Sequence, residues 1–270
     1  MITISFVIPI YNEEKRLYKT FKALRQAQGK LFGGLKLEKV IFVDDGSTDR
    51  SKLIVESGKL KVKKAVKLIS YHPNKGKGYA VKRGMMESDS DYTLFFDADM
   101  STPLSELNKF IKYFENKIDV IVGTRKNGKS TVVRHQPLFR EFLGRGFTLL
   151  TQIILRLNIS DFTCGFKAFS RQSKEKIFSE AKIQKWGYDA EILYIAKKFG
   201  FSIAEKSVIW ANDERTKVNL LKDIPYTLFE LGKINWIHAI KPEIIYTFNY
   251  SRLNYKKFTK TLASLLSMIF

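Results

Sequence analysis

Cysteine occurs once in the 270 residues, at Cys164, so no disulfide can close within the chain and a reducing environment is favoured. The lone thiol reads as a buried, inert side chain. Histidine occurs three times, at scattered positions that support no assignable chemistry. No run of 18 uncharged apolar residues is present, so the chain as given is not expected to span a membrane by itself. MITISFVIPIY lacks a basic segment ahead of its apolar run and is expected to be a first core strand, not a leader. Acidic residues are scarce too: 27 against 47 Lys and Arg, a net charge of +20. Such a surplus attracts polyanions, whether nucleic acid, an anionic lipid surface or phosphorylated small molecules; a solvated lysine-rich surface is the plainer alternative. Internal repeats and low-complexity tracts are absent, and 44% hydrophobic content implies a globular chain. The length suits one large α/β domain with a smaller appended region.

What is present is alternation. TISFVIPIY reads as a strand, followed by a helical pattern from Glu13 to about Gln28 with Leu17, Phe21 and Leu24 on one face. KVIFVDDGSTD is an apolar strand ending in carboxylates and a glycine turn, and RSKLIVESG is helical. AVKLISYH, DYTLFFDAD and DVIVGTR give three more strands, separated by helices near residues 77–87 and 103–116, the second with Thr102 as N-cap and Pro103 in its first turn. Short strands apolar on both faces predict a mostly parallel sheet with helices on both sides, whose ligands bind beyond the strands' carboxyl ends. Glu13, Asp44, Asp45, Asp97 and Asp99 all fall there.

Beyond Arg125 the pattern changes. Residues 126–136 are basic and turn-rich, and PLFREFLGRGFTLLTQIILRL reads as a long helix, apolar nearly all round. After DFTCGFKAFSR come helices near 173–181 and 187–199, then the strand-like FSIAEKSVIWAND. From Val218 the chain reads as helical, with breaks at Pro225 and Pro242. In its last part Phe258, Leu262, Leu265 and Ile269 recur at helical spacing beside Lys256, Lys257 and Lys260, a pattern suited to lying in a membrane interface or packing on protein.

FFDADMSTP raises the question of chemistry. In an extended strand Asp97 and Asp99 point to one face, where they repel each other. A metal ion or a neighbouring Lys or Arg is needed between them; capping of the following helix is the purely structural alternative.

In this order and spacing, VIPIYNEE, VDDGSTD, NKGKGYAVKRG, DADMSTP and GTR resemble family 2 glycosyltransferases of the GT-A fold. DFTCGFKAFSR, WGYDAEILYIA and ERTK resemble the branch acting on dolichyl phosphate, and the glucosyl more than the mannosyl enzymes. The likeness covers roughly residues 3–220. It implies a GT-A, Rossmann-like catalytic domain over 1–217; the stretch 218–270 lies outside the likeness, and its own pattern reads as a C-terminal helical region that associates with membrane or oligomerises, a homodimer being one form.

The resemblance implies a nucleotide-sugar donor, UDP-glucose in preference to GDP-mannose, and a dolichyl or polyprenyl phosphate acceptor. The enzyme would sit peripherally on the cytoplasmic face of a membrane. Mn²⁺ or Mg²⁺ would neutralise the leaving diphosphate, with Asp99 as direct ligand, Asp97 reaching the ribose or the ion through water, and Ser101 and Ala98 in the same turn. Pro9, Tyr11, Asn12 and Glu13 would form the nucleoside edge. Asp44, or second Asp45, would bond the base; Lys77 in NKGKG and Lys217 in ERTK would approach the donor. Capping of the first helix is a competing role for Asn12 and Glu13, and the DGSTD turn for Asp45.

A phosphate acceptor is already anionic and needs cationic positioning rather than a strong base. Arg125 and Arg140 match that role, with Arg134 and Arg145 as substitutes because Gly144 stands where the mannosyl enzymes carry a serine. Asp189 would face the sugar, and Glu191 would bond Lys167 or a backbone group. Glycan extension onto a hydroxyl is a rival activity, but its Q-x-x-R-W signature is missing. A nucleic-acid-binding module would leave the strand-end acids unexplained, and no nucleic-acid partner is expected.

Overall fold

The computed structural model describes residues 1–28, 34–58, 65–126, 130–134, 138–212 and 220–239. Apolar runs at alternating register build the sheet: Phe6 and Ile8 of β1 (Thr3–Ile10) pack on one face and Val7 on the other, all without solvent exposure. β2 (Lys36–Asp44), β3 (Ala65–Ser70) and β4 (Tyr92–Phe96) join it in parallel, and β5 (Val120–Thr124) pairs in parallel with β8 (Ile203–Ser207). One strand runs against the rest. β7 (Phe166–Ser170) lies antiparallel between β4 and β5, giving the order β3-β2-β1-β4-β7-β5-β8. The sheet is thus mostly parallel, as expected.

Helices cover both faces. α1 (Leu17–Gln28), α2 (Ser51–Gly58) and α4 (Ile111–Glu115) enclose one core with Phe6, Phe42 and Phe96. α3 (Lys77–Met85), α6 (Arg171–Glu180), α7 (Tyr188–Lys198) and α8 (Leu220–Ala239) enclose the other with Val7, Val43 and Phe95. α5 (Leu138–Leu155) follows β6 (Val132–Arg134), which pairs with β9 (Trp210–Ala211) in a separate ribbon.

Three local expectations are corrected. α1 starts at Leu17, because the chain first turns on the Glu13 carbonyl, which accepts the Arg16 and Leu17 amides. Pro103 is itself the cap of a 3₁₀ helix over Leu104–Phe110, with an extended ψ of 142° and no side-chain cap from Thr102. α8 continues through Pro225; in the helix's second turn the missing N–H removes a single bond from the ladder. Pro242 and the lysine-flanked segment 255–270 lie outside the described residues.

Candidate active site

The parallel strands β1, β2 and β4 deliver their carboxyl ends to one edge, and the acids follow. β4 stops at Phe96, so Asp97 and Asp99 sit on a turn rather than side by side in a strand. Met100 closes that turn at φ 55°, its amide donating to the Asp97 carbonyl. The Asp99 Oδ1 accepts the Ser101 amide at 2.8 Å, and buried Ala98 offers its carbonyl to the Thr20 hydroxyl at 2.7 Å. Burial, then the charge of Asp97, raises the Asp99 carboxyl above the usual carboxylate range.

The positive charge that these acids need is present in the chain. Lys77 Nζ lies 2.6 Å from Asp97 Oδ1. Burial alone would lower the Lys77 ammonium, but Asp97, Asp189 and Asp99 together raise it above its ordinary value. Lys77 is the first residue of α3, and Asp45 holds the loop before it: its carboxylate accepts the Lys75 amide at 2.8 Å, the Gly76 amide at 2.9 Å and the Asn74 side chain at 2.8 Å. Gly76 stands at φ 105°, and a Cβ there would meet the Gln184 carbonyl at 2.5 Å. Behind Asp97, Gly165 leaves no room for a side chain, since a Cβ would fall 2.1 Å from Asp97 Oδ2.

The turn role expected of Asp45 falls to Asp44. Asp44 makes the DGSTD turn, accepting the Ser47 amide at 3.0 Å and the Ser70 hydroxyl at 2.9 Å, while Asp45 reaches across to the 74–76 loop. Both are buried. At the end of β1, Pro9 is paired beside Val43, and Tyr11 is 38% exposed next to the same edge. Asn12, at φ 52°, accepts the Thr48 and Asp49 amides ahead of α2. The Glu13 carboxylate pairs with Arg16 at 3.0 Å.

On the other side of the sheet edge, Arg125 follows β5 and has a partner missing from its sequence neighbourhood. Its guanidinium grips Asp161 with two bonds of 2.6 and 2.8 Å, bonds Thr163 at 2.9 Å and lies 5.2 Å from the Trp210 ring. Burial would lower the arginine and raise the aspartate; their pairing overrides both, holding Asp161 far below the usual carboxylate range. Lys126, next in line, donates to the Gly144 carbonyl and the Thr148 hydroxyl at 2.9 and 2.7 Å, tying the site to α5. Arg140 is on that helix, Arg134 closes β6, and Arg145 is exposed. Lys217 lies outside the described residues.

Asp189 heads α7, and its partner is Lys167, whose fully buried ammonium sits 2.5 Å from Asp189 Oδ1 and 2.7 Å from the Cys164 carbonyl. The expected Lys167–Glu191 contact is replaced. Glu191 instead accepts the Lys182 and Ile183 amides and faces His238 at 2.8 Å, the backbone role foreseen as its alternative. Thus Lys77, Asp97, Asp99 and Asp189 form one cluster, Asp44 and Asp45 stand behind it, and Arg125 lies at its β5 side. Asp161, Gly165 and Lys167 were missed as contributors. The signal for the first two was DFTCGF itself, where an acid and a glycine flank the buried cysteine. Nothing pairs Lys167 with an acid 22 positions away in sequence.

Comparison with known proteins bears on this arrangement. Residues 5–178 match the model of glycosyl transferase family 2. The dolichyl-phosphate beta-glucosyltransferase of Dictyostelium discoideum is 33% identical over 226 residues, 81% of this chain and 69% of that protein. The Homo sapiens protein of the same name is 32% identical over 228 residues, with 80% and 69% covered. Among solved structures, glucosyl-3-phosphoglycerate synthase from Mycobacterium tuberculosis, in complex with Mn²⁺, uridine diphosphate and glucosyl-3-phosphoglycerate, superposes with a TM-score of 0.59 at 17% identity, over 89% of this chain and 81% of that one. Staphylococcus aureus TarS 1–349 with UDP-GlcNAc gives 0.55 at 18% identity, over 89% and 68%. The shared fold is the α/β GT-A architecture.

Proposed function

The chain belongs to glycosyl transferase family 2, and from that membership we propose that it moves glucose from UDP-glucose to a dolichyl or polyprenyl phosphate at a membrane surface. The likeness to the dolichyl-phosphate beta-glucosyltransferases is the observation that carries this reading. GDP-mannose is the alternative donor.

The donor diphosphate would lie against the Asp97–Asp99 turn, with the nucleoside along Tyr11, Asn12, Glu13, Asp44 and Asp45. The hard oxygens of Asp97, Asp99 and Ser101 fit Mn²⁺ or Mg²⁺. Among the described residues no three His, Cys, Asp or Glu side chains converge to hold an ion, which suits a cation completed by substrate phosphates. When bound, that ion would stabilise charge growing on the leaving diphosphate. Lys77 adds a second cation on the same side. Asp189, fixed by Lys167, would orient the sugar through its hydroxyls.

The acceptor phosphate would approach from the β5 and α5 side, where Arg125, paired with Asp161, and Lys126 stand and where α5 carries Arg140 in its sequence. Being anionic already, it attacks the anomeric carbon without loss of a proton; the chain's task there is alignment. α5 also carries Phe139, Phe142, Leu149 and Ile153, each between 57% and 74% exposed, with exposed Arg145 among them. Exposed aromatics beside cations suit contact with an anionic leaflet that holds the acceptor. No helix among the described residues is long and apolar enough to cross a membrane.

Asp99→Ala tests the donor half. Calorimetry should show Mn²⁺-dependent UDP binding weakened at least tenfold with the melting temperature unchanged; undiminished binding would remove Asp99 from the site.

A further inference from the structure

Two half-buried carboxylates, Asp97 and Asp99, share one turn, and the pocket's other acid, Asp189, is already neutralised by Lys167. Against the remaining pair stands one ammonium, that of Lys77, 2.6 Å from Asp97. Two negative charges and one positive leave a single net negative charge. A divalent ion arriving alone would turn this into a net positive charge and would face the ammonium at close range, an unfavourable encounter in a half-buried site. An ion arriving with a diphosphate carrying two negative charges leaves the net charge unchanged. The metal is therefore disfavoured alone and admitted with the nucleotide.

We propose that Lys77 is a built-in competitor of the metal: it occupies Asp97 in the empty enzyme, blocks the ion by itself, and moves from Asp97 to the donor's diphosphate when ion and nucleotide enter together. Its anchoring permits this. The Lys77 backbone is held by the start of α3 and by Asp45 acting on the two preceding amides, while its side chain is 25% exposed and that of Asp97 35%, so the ammonium can swing without moving the helix. Gly165 confines Asp97 from behind and leaves the carboxylate facing the lysine.

This inference rests on the nucleotide-sugar reading, and its test separates the two. Mn²⁺ binding is measured by electron paramagnetic resonance, with and without UDP, on the wild type and on Lys77→Met, Lys77→Gln and Lys77→Arg, each checked by thermal melting. The wild type should bind Mn²⁺ at least tenfold more tightly with UDP than alone. Either neutral variant should bind Mn²⁺ alone at least tenfold more tightly than the wild type, and Lys77→Arg should not. UDP binding in Mn²⁺ should weaken in both neutral variants. If a folded neutral variant binds Mn²⁺ alone no better than the wild type, Lys77 is no competitor and the inference fails, while the donor reading stands as long as the wild type binds UDP with Mn²⁺. A wild type that binds UDP under no condition would instead overturn the donor reading and the inference with it.

Discussion

At the scale of single residues, the ion pair between Arg125 and Asp161 shows how burial changes a role. An arginine ending a strand looks like a free cation for an acceptor phosphate, yet both of its inward-facing nitrogens are occupied by a carboxylate with no solvent exposure. Arg125→Ala would leave that carboxylate charged and unpaired in the interior, a loss of about 3–5 kcal/mol. Urea denaturation should show a destabilisation of that order, largely relieved by the added change Asp161→Asn, which removes the stranded charge. A variant of unchanged stability with a raised KM for lipid phosphate alone would give Arg125 a purely acceptor-binding role.

At the scale of elements, α8 is fastened to the start of α7 by Glu230, which accepts the Gly187 amide at 2.7 Å in a space where a Gly187 Cβ would lie 2.7 Å from the Glu230 Cβ. Burial raises this carboxyl from its ordinary 4.5 to about 7, against the opposing effects of the Gly187 amide, Tyr226 and Lys233, and with a small push from Glu191. The folded protein thus keeps a proton that the unfolded chain releases. Its contribution to stability is full below pH 4.5 and is lost as the pH rises to about 7. Glu230→Gln should remove that decline, so that its stability relative to wild type rises by about 3 kcal/mol at most between those pH values. Parallel pH dependence of the two proteins in chemical denaturation would place the proton elsewhere. The strands themselves were legible because their apolar runs end in turn residues and acids. The direction of β7 was not, since its antiparallel insertion is set by pairing with β4 and β5, both distant in sequence. Nor was the continuity of α8 through Pro225, because packing against α5 and α7 outweighs one missing bond.

At the scale of the whole molecule, a net charge of +20 surrounds an acidic cluster gathered at one sheet edge. The ordered motifs made the acids of the candidate site readable, since Asp44, Asp45, Asp97 and Asp99 all follow strands that end at one edge. Their neutralising partners were not readable, because Lys77 meets Asp97, and Lys167 meets Asp189, only after the sheet brings distant segments together. Under the proposed function, the exposed aromatic and aliphatic side chains of α5, beside exposed Arg145, would form the surface that meets a lipid-borne phosphate. The central claim is transfer of a hexose to that phosphate. Its most direct measurement is incubation of the protein with liposomes containing dolichyl phosphate, Mn²⁺ or Mg²⁺, and radiolabelled UDP-glucose or GDP-mannose in turn. The account predicts label in the lipid fraction from UDP-glucose, dependent on the divalent ion and lost in Asp99→Ala. Absence of labelled lipid with either donor, from folded protein that binds UDP, would contradict it.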